Sequence, residues 1–156
     1  MMERFLGTHA KRIDAKGRVS IPASFRAVLG ADRLDAVFCV AALAQSAIDA
    51  GGRALIGSID TRLAAYPPFS AAHTALATML LGRSETIALD PEGRIGVPDW
   101  IRAATGIERE VVFVGLGDRF QIWRPERFAT FETEARVLAE RLVTGIGPSG
   151  PAEVAS

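Results

Sequence analysis

Little in this chain of 156 residues suits covalent or metal chemistry. There is one cysteine, Cys39, so no internal disulfide can form. It lies in the apolar run AVFCV and reads as a small buried hydrophobe in a reducing compartment. Of the two histidines, His9 falls on an expected strand and His73 on an Ala-rich helix. Neither has Cys, Asp or Glu at ligand spacing, so no metal site is expected. Ser20 has no base motif near it, and no catalytic constellation assembles anywhere. The expectation is therefore a non-enzyme with no cofactor and no small-molecule substrate. No apolar run approaches the ~20 residues of a membrane span. The start, MMERFLGTHAKR, lacks signal-peptide order, and a cytoplasmic protein is expected. Net charge is also missing, with 18 cations against 18 anions. That argues against an arm that coats nucleic acid indiscriminately, and leaves a local basic patch open.

What the chain does have is a repeat. Residues 14–22 read DAKGRVSIP, and residues 90–98 read DPEGRIGVP. Asp14, Gly17, Arg18 and Pro22 recur as Asp90, Gly93, Arg94 and Pro98, 76 positions later. Arg26 and Arg102, then Gly30 and Gly106, extend the match at the same spacing. Two copies are too few for a solenoid, so a duplicated half-domain that pairs with itself is the reading.

Each copy has the same grammar. Residues 8–14 and 84–90 form a first strand leading to Asp. DAKG and DPEG are turns, with Asp accepting local N–H groups and Gly supplying positive φ. RVSI and RIGV alternate as strands, and Pro22 and Pro98 end them and open helices. Phe25, Val28 and Leu29, and later Ile101 and Ala104, mark the buried helix faces. Gly30 and Gly106 are expected to cap the helix ends. A hairpin follows, clear in EVVFVGLGDRFQIW around Gly115–Asp118. In the first copy DAVFCV gives one strand, but its partner near SAIDAGG is weak. Between the copies, Leu55, Ile56, Ile59 and Leu63 form one stripe. After Pro67-Pro68, Ser70 caps a helix with Leu76, Ala77, Leu80 and Leu81 on one face. Pro125 opens a last helix to about Leu142, with Phe128, Phe131, Ala135, Leu138 and Leu142 on one face. A Gly- and Pro-rich tail is expected to be disordered. The expected organisation is a first half at 5–52, linking helices at 53–81, a second half at 82–127, a C-terminal helix at 128–143 and the tail at 144–156.

Asp14 and Asp90 read as turn-capping carboxylates held by the Arg four residues on, rather than as an acid pair. Charge is segregated. Arg4, Lys11, Arg12, Lys16, Arg18 and Arg26 crowd one window that holds Asp14 as its acid. Lys11, Arg12, Lys16 and Arg18 surround one turn, which suits phosphate contact; Arg can also read guanine edges. A solvated hairpin end is the plain alternative. Copy two dilutes its Arg83, Arg94 and Arg102 with Glu85, Glu92 and Asp99. Trp100 and Trp123 fit core or interface positions better than base stacking. One small patch binds weakly, so useful specificity predicts an oligomer on repeated DNA sites.

The stretches FLGTHAKRIDAKGRVSIPASFR, LDPEGRIGVPDWIR and VVFVGLGDRFQIWRPERF resemble the MraZ family of bacterial transcriptional regulators. Each half resembles a SpoVT/AbrB-type swapped-hairpin domain, with the Asp-x-x-x-Arg motif at Asp14–Arg18 and Asp90–Arg94. The resemblance implies an α+β fold: two pseudo-symmetric β-α-β-β halves interlaced in one β-barrel with flanking helices. It implies a closed homo-oligomeric ring whose motif turns, through Arg18 and Arg94, contact double-stranded DNA at promoter repeats. It further implies repression of its own division and cell-wall gene cluster, and association with the nucleoid. Asp14, Asp90, Gly17, Gly93, Pro22 and Pro98 are the scaffold of those turns; Lys11, Arg12 and Lys16 are added from charge alone. The middle departs from the family pattern: SAIDAGG stands where an aromatic, leucine-rich strand is usual. An antitoxin-like module binding a protein partner through its acidic last helix is the rival, disfavoured by the duplication.

Overall fold

The computed structural model describes residues 3–145, so nearly all of the expected tail lies outside the described residues. Two compact units are present, one ending at Pro125 and one beginning at Glu126. The first unit is α+β. Its elements run β1 (Thr8–Arg12), β2 (Arg18–Ser20), α1 (Ala23–Ala31), β3 (Ala36–Ala41), β4 (Ala47–Gly51), α2 (Arg53–Leu63) and α3 (Ala71–Ala77). A π-helix (Thr78–Gly82) then leads into β5 (Ser84–Ala88), β6 (Arg94–Gly96), α4 (Asp99–Thr105), β7 (Glu110–Gly115) and β8 (Phe120–Trp123). Among the described residues, the second unit holds α5 (Pro125–Thr144) from its second residue on. None of its residues is buried, and Leu138 of its expected apolar face is 46% exposed.

Six strands form one sheet in the order β1-β7-β8-β4-β3-β5, and β2 and β6 form a separate ribbon. The sheet is not closed, since β1 and β5 are its edges. Every pairing is antiparallel. The first strand of each copy pairs with the third strand of the other. Thr8–Arg12 lies against Val114–Glu110, and Ala36–Val40 against Ala88–Ser84. β4 and β8 meet in the middle, and the two repeated strands pair as Val19↔Ile95. Exchanging each strand for its counterpart in the other copy leaves the order unchanged.

The alternation seen in the sequence explains these elements. Val19 and Ile95 point inward from the ribbon, joined by the fully buried Ile21, Phe25, Leu29, Val37 and Phe113. Burying each such side chain stabilises by about 1.5–3 kcal/mol. An aromatic group sits at the centre: Phe25 is 5.3 Å from Phe5, 4.9 Å from Phe120 and 5.1 Å from His9, ring to ring. Trp123 is buried and Trp100 is partly buried against this core, as expected for packing residues. Cys39 is buried too, and desolvation pushes its thiol up to about 12. A smaller cluster joins Leu55, Ile59, Leu63 and Leu80.

Three local expectations need correction or sharpening. The weak segment SAIDAGG does form a strand, β4, held between β8 and β3. At its end Gly51 has close neighbours: a Cβ there would stand 3.3 Å from Leu55 Cβ and 3.6 Å from Arg119 Cα. Gly30 does not end α1; the helix continues to Ala31, and Arg33 takes the left-handed position at φ 60. There Leu34 N–H donates to the Leu29 carbonyl, closing the helix as glycine usually does. Gly106, by contrast, caps α4 at φ 76 as expected. The linking stripes are also narrower than read. Ile56 is 39% and Leu81 42% exposed, and the π turn at Thr78–Gly82 breaks the 3.6-residue spacing that placed Leu81 inward. Ser70 caps α3 as expected, its hydroxyl accepting from His73 N–H at 3.2 Å.

Candidate nucleic-acid interface

The two motif turns are built alike. Gly17 N–H donates to the Asp14 carbonyl at 3.0 Å, and Asp14 N–H to the Arg18 carbonyl at 2.8 Å. Gly17 sits at φ 79 and Gly93 at φ 78, where a side chain is strained. One Asp14 carboxylate oxygen accepts the N–H groups of Lys16 and Arg18, both at 2.9 Å. Its other oxygen accepts Arg18 Nε at 3.0 Å. Asp90 repeats the set with Glu92, Arg94 and Arg94 Nε, at 2.9, 2.9 and 2.8 Å. The carboxylate thus organises the turn and fixes the start of the arginine side chain. The turn-capping reading of both aspartates stands on these bonds.

The electrostatics follow. The Arg18 N–H, foremost, with its guanidinium and the Lys16 N–H, holds the Asp14 carboxyl below the usual range despite some desolvation. Asp90 is lowered in the same way, with the Arg94 N–H as the main cause. Arg94 is raised, first by its bond to Asp90.

The ribbon brings the turns side by side. Val97 N–H donates to the Gly17 carbonyl at 2.8 Å, and Ile21 N–H to the Gly93 carbonyl at 3.0 Å. The arginines are nonetheless unequal. Arg94 also meets Glu92 at 3.3 Å and Asp14 at 3.9 Å. Arg18 meets Asp14 through Nε at 3.0 Å and pairs with no other acid among the described residues. Lys16 and Arg12 are exposed and Lys11 is half-buried. Lys11 and Arg12 lie on β1 against Val111 and Glu110. Pro22 and Pro98 precede α1 and α4 immediately, as expected.

Sequence reasoning placed Arg26 and Arg102 on helices without assigning them to the turns. Arg26 Nη1 in fact donates to the Glu92 carbonyl at 3.3 Å. It also left out Arg109, whose carbonyl accepts the Ile13 N–H at 2.8 Å beside the first turn. The only available signal was the shared 76-residue spacing of Arg26 and Arg102. Among the described residues no group of three or more His, Cys, Asp or Glu could hold a metal ion. Among them, too, no helix is long and apolar enough to cross a membrane.

Paired, pre-formed Asp-x-x-x-Arg turns on a duplicated α+β unit define the class of protein. Residues 4–46 and 79–143 match the family model described as "MraZ protein, putative antitoxin-like". The chain is 48% identical over 146 residues to the transcriptional regulator MraZ of Xanthobacter autotrophicus, covering 94% of this chain and 93% of that one. It is 44% identical over 146 residues to the transcriptional regulator MraZ of Azorhizobium caulinodans, with coverage of 94% and 93%. For that of Rhizobium rhizogenes the figures are 42% over 144 residues, 92% and 97%. The chain belongs to the MraZ family. The stretch between the two matched segments holds β4, α2 and α3, the region whose sequence departs from the family pattern.

Proposed function

We propose that this protein is a sequence-specific DNA-binding transcriptional regulator, acting as a repressor of its own division and cell-wall gene cluster. Copies assemble into a closed ring and present the motif turns to repeated promoter elements at the nucleoid. The two halves, 5–52 and 82–127, interlace as a pseudo-symmetric, barrel-like body, with linking helices at 53–81 and a C-terminal helix at 128–143. Support comes from the printed names of the relatives and from the strand order, which is the same under exchange of the copies. The protein acts by binding rather than catalysis, without cofactor or small-molecule substrate.

One observation carries the reading. Asp14 engages the N–H groups of its turn and Arg18 Nε, which fixes the base of a guanidinium whose side chain stays 34% exposed. A fixed guanidinium fork is the geometry that phosphate oxygens and guanine edges accept in pairs. Arg94 is the weaker reader because Asp90, Glu92 and Asp14 already surround it. The test is binding of promoter-derived repeats by Arg18→Ala. Specific binding is expected to disappear while oligomer size and melting temperature stay near wild type. Loss of folding in that variant would make Arg18 a structural clamp and refute the site. A protein-binding, antitoxin-like role is the second reading, favoured by the family description and by Val143, 87% exposed on α5.

A further inference from the structure

Arg26 reaches from the first copy onto the turn of the second. Its Nη1 donates to the Glu92 carbonyl at 3.3 Å. Its Cδ and guanidinium occupy the space that a Cβ at Gly93 would need. Residue 93 is therefore glycine for two reasons, its φ of 78 and this close approach. Ile21, at the start of the same segment, donates its N–H to the Gly93 carbonyl at 3.0 Å. Two successive carbonyls of the second turn are thus gripped by residues of the first copy.

The counterpart, Arg102, is placed differently. Its Nη1 donates to the Glu108 carbonyl at 2.8 Å, and its Nη2 stands 3.7 Å from where a Cβ at Gly17 would be. It flanks the first turn without bonding to it. Charge explains why the second turn has the greater need. Asp90, Glu92 and Arg94 leave it one negative charge in excess, whereas Asp14, Lys16 and Arg18 leave the first turn one positive charge in excess. Glu92 also ties Arg94 Nη2 at 3.3 Å, so the residue held by Arg26 itself contacts Arg94, alongside Asp90.

We propose that Arg26 is a positioning residue of the DNA-facing surface. It fixes the backbone of the second turn from the opposite copy and cancels that turn's excess negative charge. The second turn can then lie against phosphate beside the first. The consequence for DNA rests on the function proposed above; the bracing of the turn does not.

The full-length chain tests both parts. In Arg26→Gln, the amides of Ile21, Glu92 and Arg94 should exchange with solvent at least about threefold faster, with Lys16 and Arg18 unchanged. Gly93→Ala should lower the melting temperature less in an Arg26→Ala background than in wild type, because the clash has gone and the φ strain alone remains. Unchanged exchange, or equal losses in both backgrounds, overturns the bracing. On promoter-repeat DNA, Arg26→Gln should bind about tenfold more weakly with the salt slope unaltered. A slope smaller by about 0.9 would instead make Arg26 a direct phosphate contact and overturn the positioning role. If the wild-type chain ignores that DNA, the functional reading fails, while exchange and melting still decide whether Arg26 braces the turn.

Discussion

Phe25→Ala probes the joining of the two copies. Phe25 comes from the first copy and is fully buried, with its ring 4.9 Å from Phe120 of the second and 5.3 Å from Phe5. Removing a buried phenyl ring costs about 3–5 kcal/mol, through lost transfer energy and the cavity left behind. The unit up to Pro125 should have a total stability of roughly 6–19 kcal/mol on a per-residue basis. The variant should therefore remain folded while losing a large part of its margin. At about 4 °C per kcal/mol for a unit of this size, the melting temperature should fall by about 12–20 °C. Urea unfolding at one fixed protein concentration gives the free energy, and the fixed concentration holds any assembly constant. A double-mutant cycle with Phe120→Ala isolates the contact between the copies, expected to couple by about 0.5–1.5 kcal/mol. A loss below about 1 kcal/mol, or zero coupling, would show that the copies do not share this core.

The turns should respond to acid. Asp14 and Asp90 are lowered in the folded protein, so their contribution is present above the unfolded carboxylate value of about 3.9 and is lost as pH falls through the folded values. The urea midpoint should drop below about pH 4, and drop less steeply in Asp14→Asn/Asp90→Asn; identical slopes would contradict the lowering. Cys39, with its thiol pushed up to about 12 inside the core, should resist iodoacetamide at pH 8 in buffer and react in urea. Rapid labelling of the native protein would show that the core opens there.

Local chemistry was the legible part of the sequence. Asp, Gly and Pro at fixed offsets announced both turns, because an Asx turn and a positive φ admit few residue types. The Asp–Arg clamp was readable as well, since i,i+4 partners across a tight turn cannot avoid each other. Long-range packing was not readable. β4 holds one β-branched residue, Ile48, among Ala47, Asp49, Ala50 and Gly51, so propensity pointed away from a strand that tertiary contacts impose. Arg33 took the left-handed position three residues beyond Gly30 because α1 runs on to Ala31, with Asp32 as its C-cap. The self-pairing of the repeat was readable, but the reach of Arg26 to Glu92, 66 residues on, is a long-range contact that no local pattern encodes. The family resemblance implied an interlaced β-barrel, whereas hydrogen bonding leaves β1 and β5 as the edges of a six-stranded sheet.

The salt dependence of binding to promoter repeats tests the central claim most directly. Under the proposed function, four phosphate contacts from Lys11, Arg12, Lys16 and Arg18 would give each engaged chain a log–log slope of about −3.6. Affinity per chain should fall about 150-fold between 50 and 200 mM salt. Arg18→Gln should flatten the slope by about 0.9 and remove the preference for repeats over scrambled DNA. A slope unchanged by that substitution, or equal binding of repeats and scrambled DNA by the wild-type protein, would contradict the account.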